Sequence, residues 1–334
     1  MKLGSSLVIG LKATSLSPKE RKFLIQQEVA GVILFKRNLK NFQQIHQLCK
    51  EIKSLGKAAP WIGIDMEGGR VNRFSHIENS FPWPSASELS QKKEEDILAS
   101  AKALGEMLAA LGFDINFAPV VDLAHEESSL LKTRTFGSTA EDITTKALCF
   151  IGGLKQGGVE ACLKHFPGHG GVSQDSHKIL PKDLRSLQDL QPQLQIFETL
   201  FNKEDVCIMT AHIEFPHIEN LPASFSKLLL TEELKNKRGF KGLVISDDIT
   251  MLALKEFSNS EKIKKTLQAG CDLVLHCSGE LDFLEEFESF AEDLQKDLAP
   301  CLENSLEKRQ AFKARRKELF PLKSWSEASK KIVS

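Results

Sequence analysis

The sequence predicts a (β/α)8 barrel of the TIM type, one domain carrying an added C-terminal helix. Three observations predict it. Short apolar runs alternate with longer amphipathic segments along the chain, eight of each. Charged or imidazole side chains follow several apolar runs directly, at the strand end where barrel enzymes place their chemistry. The chain has 334 residues, enough for a fold that typically needs ~250. A doubly wound open sheet would alternate too. It usually has fewer strands, however, and no Gly-x-Gly-x-x-Gly follows the first run.

The first run, Ser6–Leu11, reads as a strand rather than a leader, because Lys12 interrupts it and no cleavage site follows. Further strands are expected at Gly31–Phe35, Pro60–Ile64, Asp114–Ala118, Val159–Leu163, Val206–Thr210, Gly242–Ile245 and Asp272–Leu275. Helices are expected at 18–28, 41–54, 95–111, 140–156, 186–202, 230–237, 260–268 and 281–296. After Pro300 the chain turns charged and helical, as a terminal helix packed outside the barrel would. No repeat or linker divides it, so residues 1–334 read as one domain: a barrel over about 5–298 and a helical extension over 300–334.

Composition sets outer bounds. With 41% hydrophobic and 27% charged residues, the chain can bury a sizeable core. A net charge of −1 argues against a nucleic-acid or acidic-membrane surface. The one basic run, Lys308–Lys317, reads as the solvated face of the last helix. Seven cysteines without a Cys-x-x-Cys pair, several inside apolar runs, read as free thiols in a reducing compartment. No run approaches the ~18 apolar residues of a membrane span. The expectation is a cytoplasmic monomer without cofactor, nucleic-acid partner or membrane partner.

The chemistry gathers after the strands. Asp65, Asp122, Lys164 with His165, His212 and Asp247 each follow an apolar run. Long loops over 65–90, 122–139 and 164–185 carry too much Phe, Trp and Arg to be read as disordered. The densest stretch is Lys164-His165-Phe166-Pro167-Gly168-His169-Gly170-Gly171, followed by Asp175-Ser176-His177. Its proline and glycines predict an irregular loop immediately after the fifth strand. Asp175 and His177, two apart, share a side in extended chain, so the carboxylate can orient and protonate the imidazole.

Asp247 can be a nucleophile, a base or a metal ligand, while Asp248 also fits a helix N-cap, and the two roles are interchangeable on pattern alone. Arg70 and Arg134 offer fixed-charge donors for hydroxyl or amide oxygens, or else salt bridges with an acid such as Glu67. Asp65, Lys164 and His165 could hold a polyhydroxyl ligand. A metal site from His165, His169, His177 and Asp247 is disfavoured, because their spacing matches no compact ligand motif.

The run from Lys164 to Gly170 with Asp175-Ser176-His177, and Ser246-Asp247-Asp248 downstream, resembles glycoside hydrolase family 3. It is similar in particular to the single-domain β-N-acetylglucosaminidases (β-N-acetylhexosaminidases) of the NagZ type. The segments Leu34–Asn38, Asp65–Val71, Phe117–Asp122, Arg134–Gly137 and Met209–His212 carry the resemblance across most of the chain.

The resemblance implies a retaining, exo-acting hydrolase that passes through a covalent glycosyl–Asp247 intermediate. His177 would be the acid/base, oriented by Asp175. Asp65, Arg70, Arg134, Lys164 and His165 would hold the terminal sugar, with neither metal nor cofactor. The usual substrate of such enzymes is N-acetylglucosaminyl-anhydromuramic acid, with or without its peptide, in cytoplasmic peptidoglycan recycling. Members with a second sandwich domain draw their acid/base carboxylate from it, and a histidine donor suits a chain without one. The rivals are a phosphorylase or β-glucosidase-like activity on the same scaffold, and a catalytically silent sugar-binding protein.

Overall fold

The computed structural model describes residues 1–56, 59–124, 131–172 and 180–319. Eight parallel strands close into a barrel: β1 (Leu7–Gly10), β2 (Gly31–Leu34), β3 (Trp61–Ile64), β4 (Ile115–Asn116), β5 (Glu160–Phe166), β6 (Cys207–Thr210), β9 (Val244–Asp248) and β10 (Leu273–His276). A small antiparallel hairpin, β7 (Glu214–Phe215) with β8 (Glu219–Pro222), stands between β6 and β9. Neighbours in sequence are neighbours in the barrel, and β10 closes on β1.

The strands read as unbroken apolar runs because both faces are covered. Val8, Ile33, Ile115, Cys162, Met209 and Ile245 fill the barrel interior. Leu7, Ile9, Val32, Leu34 and Ile208 face the surrounding helices instead. These are α1 (Pro18–Gln26), α2 (Phe42–Lys53), α3 (Ala86–Leu89), α4 (Glu94–Leu111), α5 (Ala140–Gln156), α6 (Gln191–Lys203), α7 (Asn259–Ala269) and α8 (Leu281–Asp297). A wide helix at Leu228–Lys237 lies between β8 and β9. Local sequence starts several of them: Ser17 and Ser258 open capping boxes with Glu20 and Glu261, and Pro18 supplies a preset φ in the first turn.

The ends of β5 and β9 differ from expectation for tertiary reasons. β5 continues through Lys164, His165 and Phe166, where an irregular loop was expected. Val121 N–H donates to the Lys164 carbonyl and Ala211 N–H to that of Phe166, so the segments that follow β4 and β6 hold it extended. β9 begins at Val244 and takes in Ser246, Asp247 and Asp248, with Leu275 N–H donating to Ser246 Oγ.

The last helix, α9 (Ala299–Leu319), lies across the N-terminal end of the barrel rather than simply outside it. Phe312 is 3% exposed, and its ring meets Trp61, the first residue of β3, edge-on at 5.8 Å. Arg309 donates to the Ser5 carbonyl, and Lys308 lies 3.6 Å from Asp272. The start of the basic run is therefore bound to the barrel floor, not only solvated.

Candidate active site

At the opposite end, the carboxyl ends of the strands surround a cleft of about 510 Å³. Its wall includes Phe35, Asp65, Glu67, Arg70, Arg73, Arg134, Lys164, His165, His169, Met209, Asp247, Asp248 and Cys277. Asp65, Arg70, Arg134, Lys164, His165 and Asp247 thus meet in one place. Asp175 and His177 lie outside the described residues.

One half of the wall is a buried charge network. Lys164 Nζ lies 2.8 Å from Asp65 Oδ1 and 2.7 Å from Glu67 Oε1, and its side chain is 3% exposed. Arg134 grips Glu67 with two parallel bonds, Nε to Oε2 at 2.7 Å and one terminal nitrogen to Oε1 at 2.8 Å. Arg73 reaches Asp65 Oδ2 at 3.1 Å, and its guanidinium lies 5.1 Å from the Phe35 ring centre.

Burial opposes the charges of Asp65, Glu67, Lys164 and Arg134, and their partners outweigh it. Asp65 is held below its ordinary range by Lys164 and Arg73 despite burial, and Glu67 far below its own by Lys164 and Arg134. Lys164 is raised by Asp65 and Glu67 against the same desolvation. The site therefore presents fixed charges, with N–H donors of Lys164 and Arg134 left over for a ligand. Arg70 is different: it is exposed at the mouth.

A second network fixes the histidines. Asp122 is fully buried, and its Oδ2 accepts from His165 Nδ1 at 2.8 Å. A carboxylate there requires the proton on Nδ1. Asp122 Oδ1 accepts from the backbone N–H groups of His165 at 3.1 Å and His169 at 2.7 Å. Burial would raise the Asp122 carboxyl, but His165 above all keeps it below its ordinary range. His169 is folded in behind, where burial and then His165 push its pKa down. The turn carrying it must be Gly170, because a Cβ there would stand 1.8 Å from the Leu123 carbonyl oxygen.

The two adjacent aspartates part company. Asp248 Oδ1 accepts from Thr250 N–H and Cys277 N–H, each at 3.0 Å, and its Oδ2 accepts from the Thr250 hydroxyl at 2.7 Å. Its carboxylate ties β9 to β10, the capping type of role the sequence offered. Asp247 is half-buried on the cleft wall, and its Oδ1 accepts from Asp248 N–H at 2.8 Å. His212 stands behind them as scaffold. Its Nε2 donates to the Asp248 carbonyl at 3.1 Å and its Nδ1 accepts from Ser224 Oγ at 2.7 Å. Burial depresses its pKa, which suits this neutral tautomer.

Sequence reasoning left Glu67 as a salt-bridge partner only and gave Asp122 no task. The signal for Glu67 was its place two residues after Asp65, which puts both on one side of an extended segment. Asp122 was marked only by its place after an apolar run, because its partners come from β5 and from the turn that follows it. Among the described residues, no group of three or more His, Cys, Asp or Glu side chains is arranged to hold a metal ion.

Known proteins share much of this sequence and its fold. The glycosyl hydrolase family 3 N-terminal domain matches residues 5–308. A "Beta-hexosaminidase" of Neisseria gonorrhoeae is 36% identical over 310 residues, covering 89% of this chain and 85% of its own. Native NagZ from Neisseria gonorrhoeae superposes with a TM-score of 0.79 at 32% identity, covering 94% of this chain and 97% of that one. The same enzyme has been solved in complex with N-trifluoroacetyl-D-glucosamine. A glycoside hydrolase family 3 β-N-acetylglucosaminidase from Paenibacillus sp. FPU-7 gives a TM-score of 0.86 at 28% identity. That match covers 94% of this chain but 62% of the longer one.

Proposed function

The chain belongs to glycosyl hydrolase family 3, and from that premise we propose that it is a retaining, exo-acting β-N-acetylglucosaminidase. It removes terminal β-N-acetylglucosamine by double displacement. The observation that carries this reading is one cleft in which Asp247 faces the fixed donors and acceptors of Lys164, Arg134, Asp65 and His165. Such a wall can hold a neutral polyhydroxylated ring in one orientation, and Asp247 supplies the nucleophile for its anomeric carbon. Asp248, committed to Thr250 and Cys277, is the poorer candidate.

The acid/base is His177, oriented by Asp175, both outside the described residues. Support is partly by elimination. His169 is pushed toward the neutral form by burial and then by His165, so it is the poorer candidate to protonate a leaving oxygen at neutral pH. The first step forms the Asp247 ester as the aglycone oxygen takes the His177 proton. In the second, water loses a proton to His177 and attacks the same carbon, freeing Asp247 and retaining the β configuration.

The substrates are N-acetylglucosaminyl-anhydromuramyl fragments with or without peptide, cleaved in the cytoplasm during cell-wall recycling by a monomer. Among the described residues no helix is long and apolar enough to cross a membrane. The test is turnover of N-acetylglucosaminyl-anhydromuramic acid, with mass mapping after a slow 5-fluoro sugar. Label on Asp247 is expected. Label on Asp248, or turnover through an unlabelled enzyme, refutes the mechanism.

A further inference from the structure

Glu67 is 7% exposed, and among the described residues its carboxylate bonds to the side chains of Lys164 and Arg134. Its Oε1 takes Lys164 at 2.7 Å and one Arg134 terminal nitrogen at 2.8 Å, and its Oε2 takes Arg134 Nε at 2.7 Å. One carboxylate thus holds two cations that arrive from β5 and from the segment after β4. Each partner loses a defined share of its donors. Lys164 donates one N–H to Asp65 and pairs with Glu67 at 2.7 Å, which narrows the directions left to its remaining donors. Arg134 has its Nε edge engaged, which turns its other terminal nitrogen outward.

The backbone under Glu67 is itself fixed. Glu67 N–H donates to the Val71 carbonyl at 3.1 Å, and Gly68 and Gly69 turn the chain with φ of 87° and 53°. A Cβ on Gly68 would lie 2.0 Å from the Pro84 carbonyl oxygen, so the turn sits flush against the 83–85 segment. A rigid turn that delivers one carboxylate between two cations suits aiming better than simple neutralisation. Neutralising Lys164 alone would need only Asp65.

We propose that Glu67 is the positioning residue of the sugar pocket, acting on substrate through the Lys164 ammonium and the Arg134 guanidinium whose remaining N–H donors it aims. The proposal rests on the reading of this cleft as the site for terminal N-acetylglucosamine. The test is a cycle built from Glu67→Gln, Lys164→Met with Arg134→Ala, and all three together. Each protein is assayed for kcat and KM on 4-nitrophenyl N-acetyl-β-glucosaminide, for N-acetylglucosamine Kd by calorimetry, and for urea stability. Glutamine keeps the volume and one acceptor oxygen, so the variant should fold.

In the otherwise native protein, Glu67→Gln should weaken N-acetylglucosamine binding and lower kcat/KM together, by roughly 10- to 100-fold, mostly through KM. In the Lys164→Met/Arg134→Ala background the same change should add less than about 2-fold, because the groups it acts through are gone. An equal loss in both backgrounds, or loss of stability with Kd and KM unchanged, overturns the proposal. Native protein that binds N-acetylglucosamine without cleaving the glycoside refutes the hydrolase reading instead, and the binding arm still decides the role of Glu67.

Discussion

Replacing Lys164 by Met removes one ammonium while nearly preserving volume, and its cost can be worked from the charge network. Lys164 Nζ stands 2.8 Å from Asp65 and 2.7 Å from Glu67 with its side chain 3% exposed. Taking one partner from a buried pair costs about 3–5 kcal/mol, because a charge is left in low dielectric without its counterion. Here each acid keeps a second cation, Arg73 at 3.1 Å on Asp65 and Arg134 at 2.7 Å on Glu67. The loss should therefore fall near the lower end, about 3 kcal/mol. For a chain of this length that corresponds to a fall in Tm of about 4 °C.

The loss also has a pH signature. Burial would raise both acids, yet in the native protein their cations hold them below the ordinary carboxylate range. Stability from a depressed carboxyl is present above its unfolded pKa of about 4 and is lost as pH falls through the folded value. Without Lys164 both folded values rise, so the variant's deficit is full at pH 7 and shrinks below about pH 4.5. Urea unfolding of both proteins at pH 7 and pH 4 measures it. A deficit under about 1 kcal/mol, or one equal at both pH values, would refute the charge-network account.

Arg70→Ala, at the exposed mouth, should lower kcat/KM by roughly 10-fold or more while leaving Tm unchanged; a Tm loss matching that of Lys164→Met would misplace it. Asp122→Asn frees the Nδ1 proton of His165 and should cut kcat/KM on the order of 100-fold. Unchanged pH–rate profiles and rates would show that His165 needs no orienting partner. His177→Gly should nearly abolish disaccharide cleavage while sparing glycosyl-enzyme formation from a dinitrophenyl glycoside, with azide restoring turnover as the β-glycosyl azide. Asp175→Ala should follow the same pattern more weakly. Equal losses on good and poor leaving groups, with no azide product, would move the proton donor elsewhere.

The sequence by itself determined the barrel and the shortlist of site residues. Both are written locally: strand and helix periodicities in the alternating runs, and polar residues set directly after apolar ones, as at Ile64-Asp65 and Leu163-Lys164. Only the tertiary structure decided how those residues divide the work. Lys164 meets Asp65 across 99 residues, Arg134 meets Glu67 across 67, and His165 meets Asp122 across 43. No periodicity encodes such distances; barrel closure creates them by bringing all strand ends to one rim. The same closure buried Lys164 between Asp65 and Glu67, gave Arg134 the salt bridge with Glu67 that the sequence offered as an alternative, turned His212 into scaffold, and set Phe312 against Trp61 at the barrel floor. Contacts between distant segments depend on three-dimensional packing, so they became legible only once the barrel was closed.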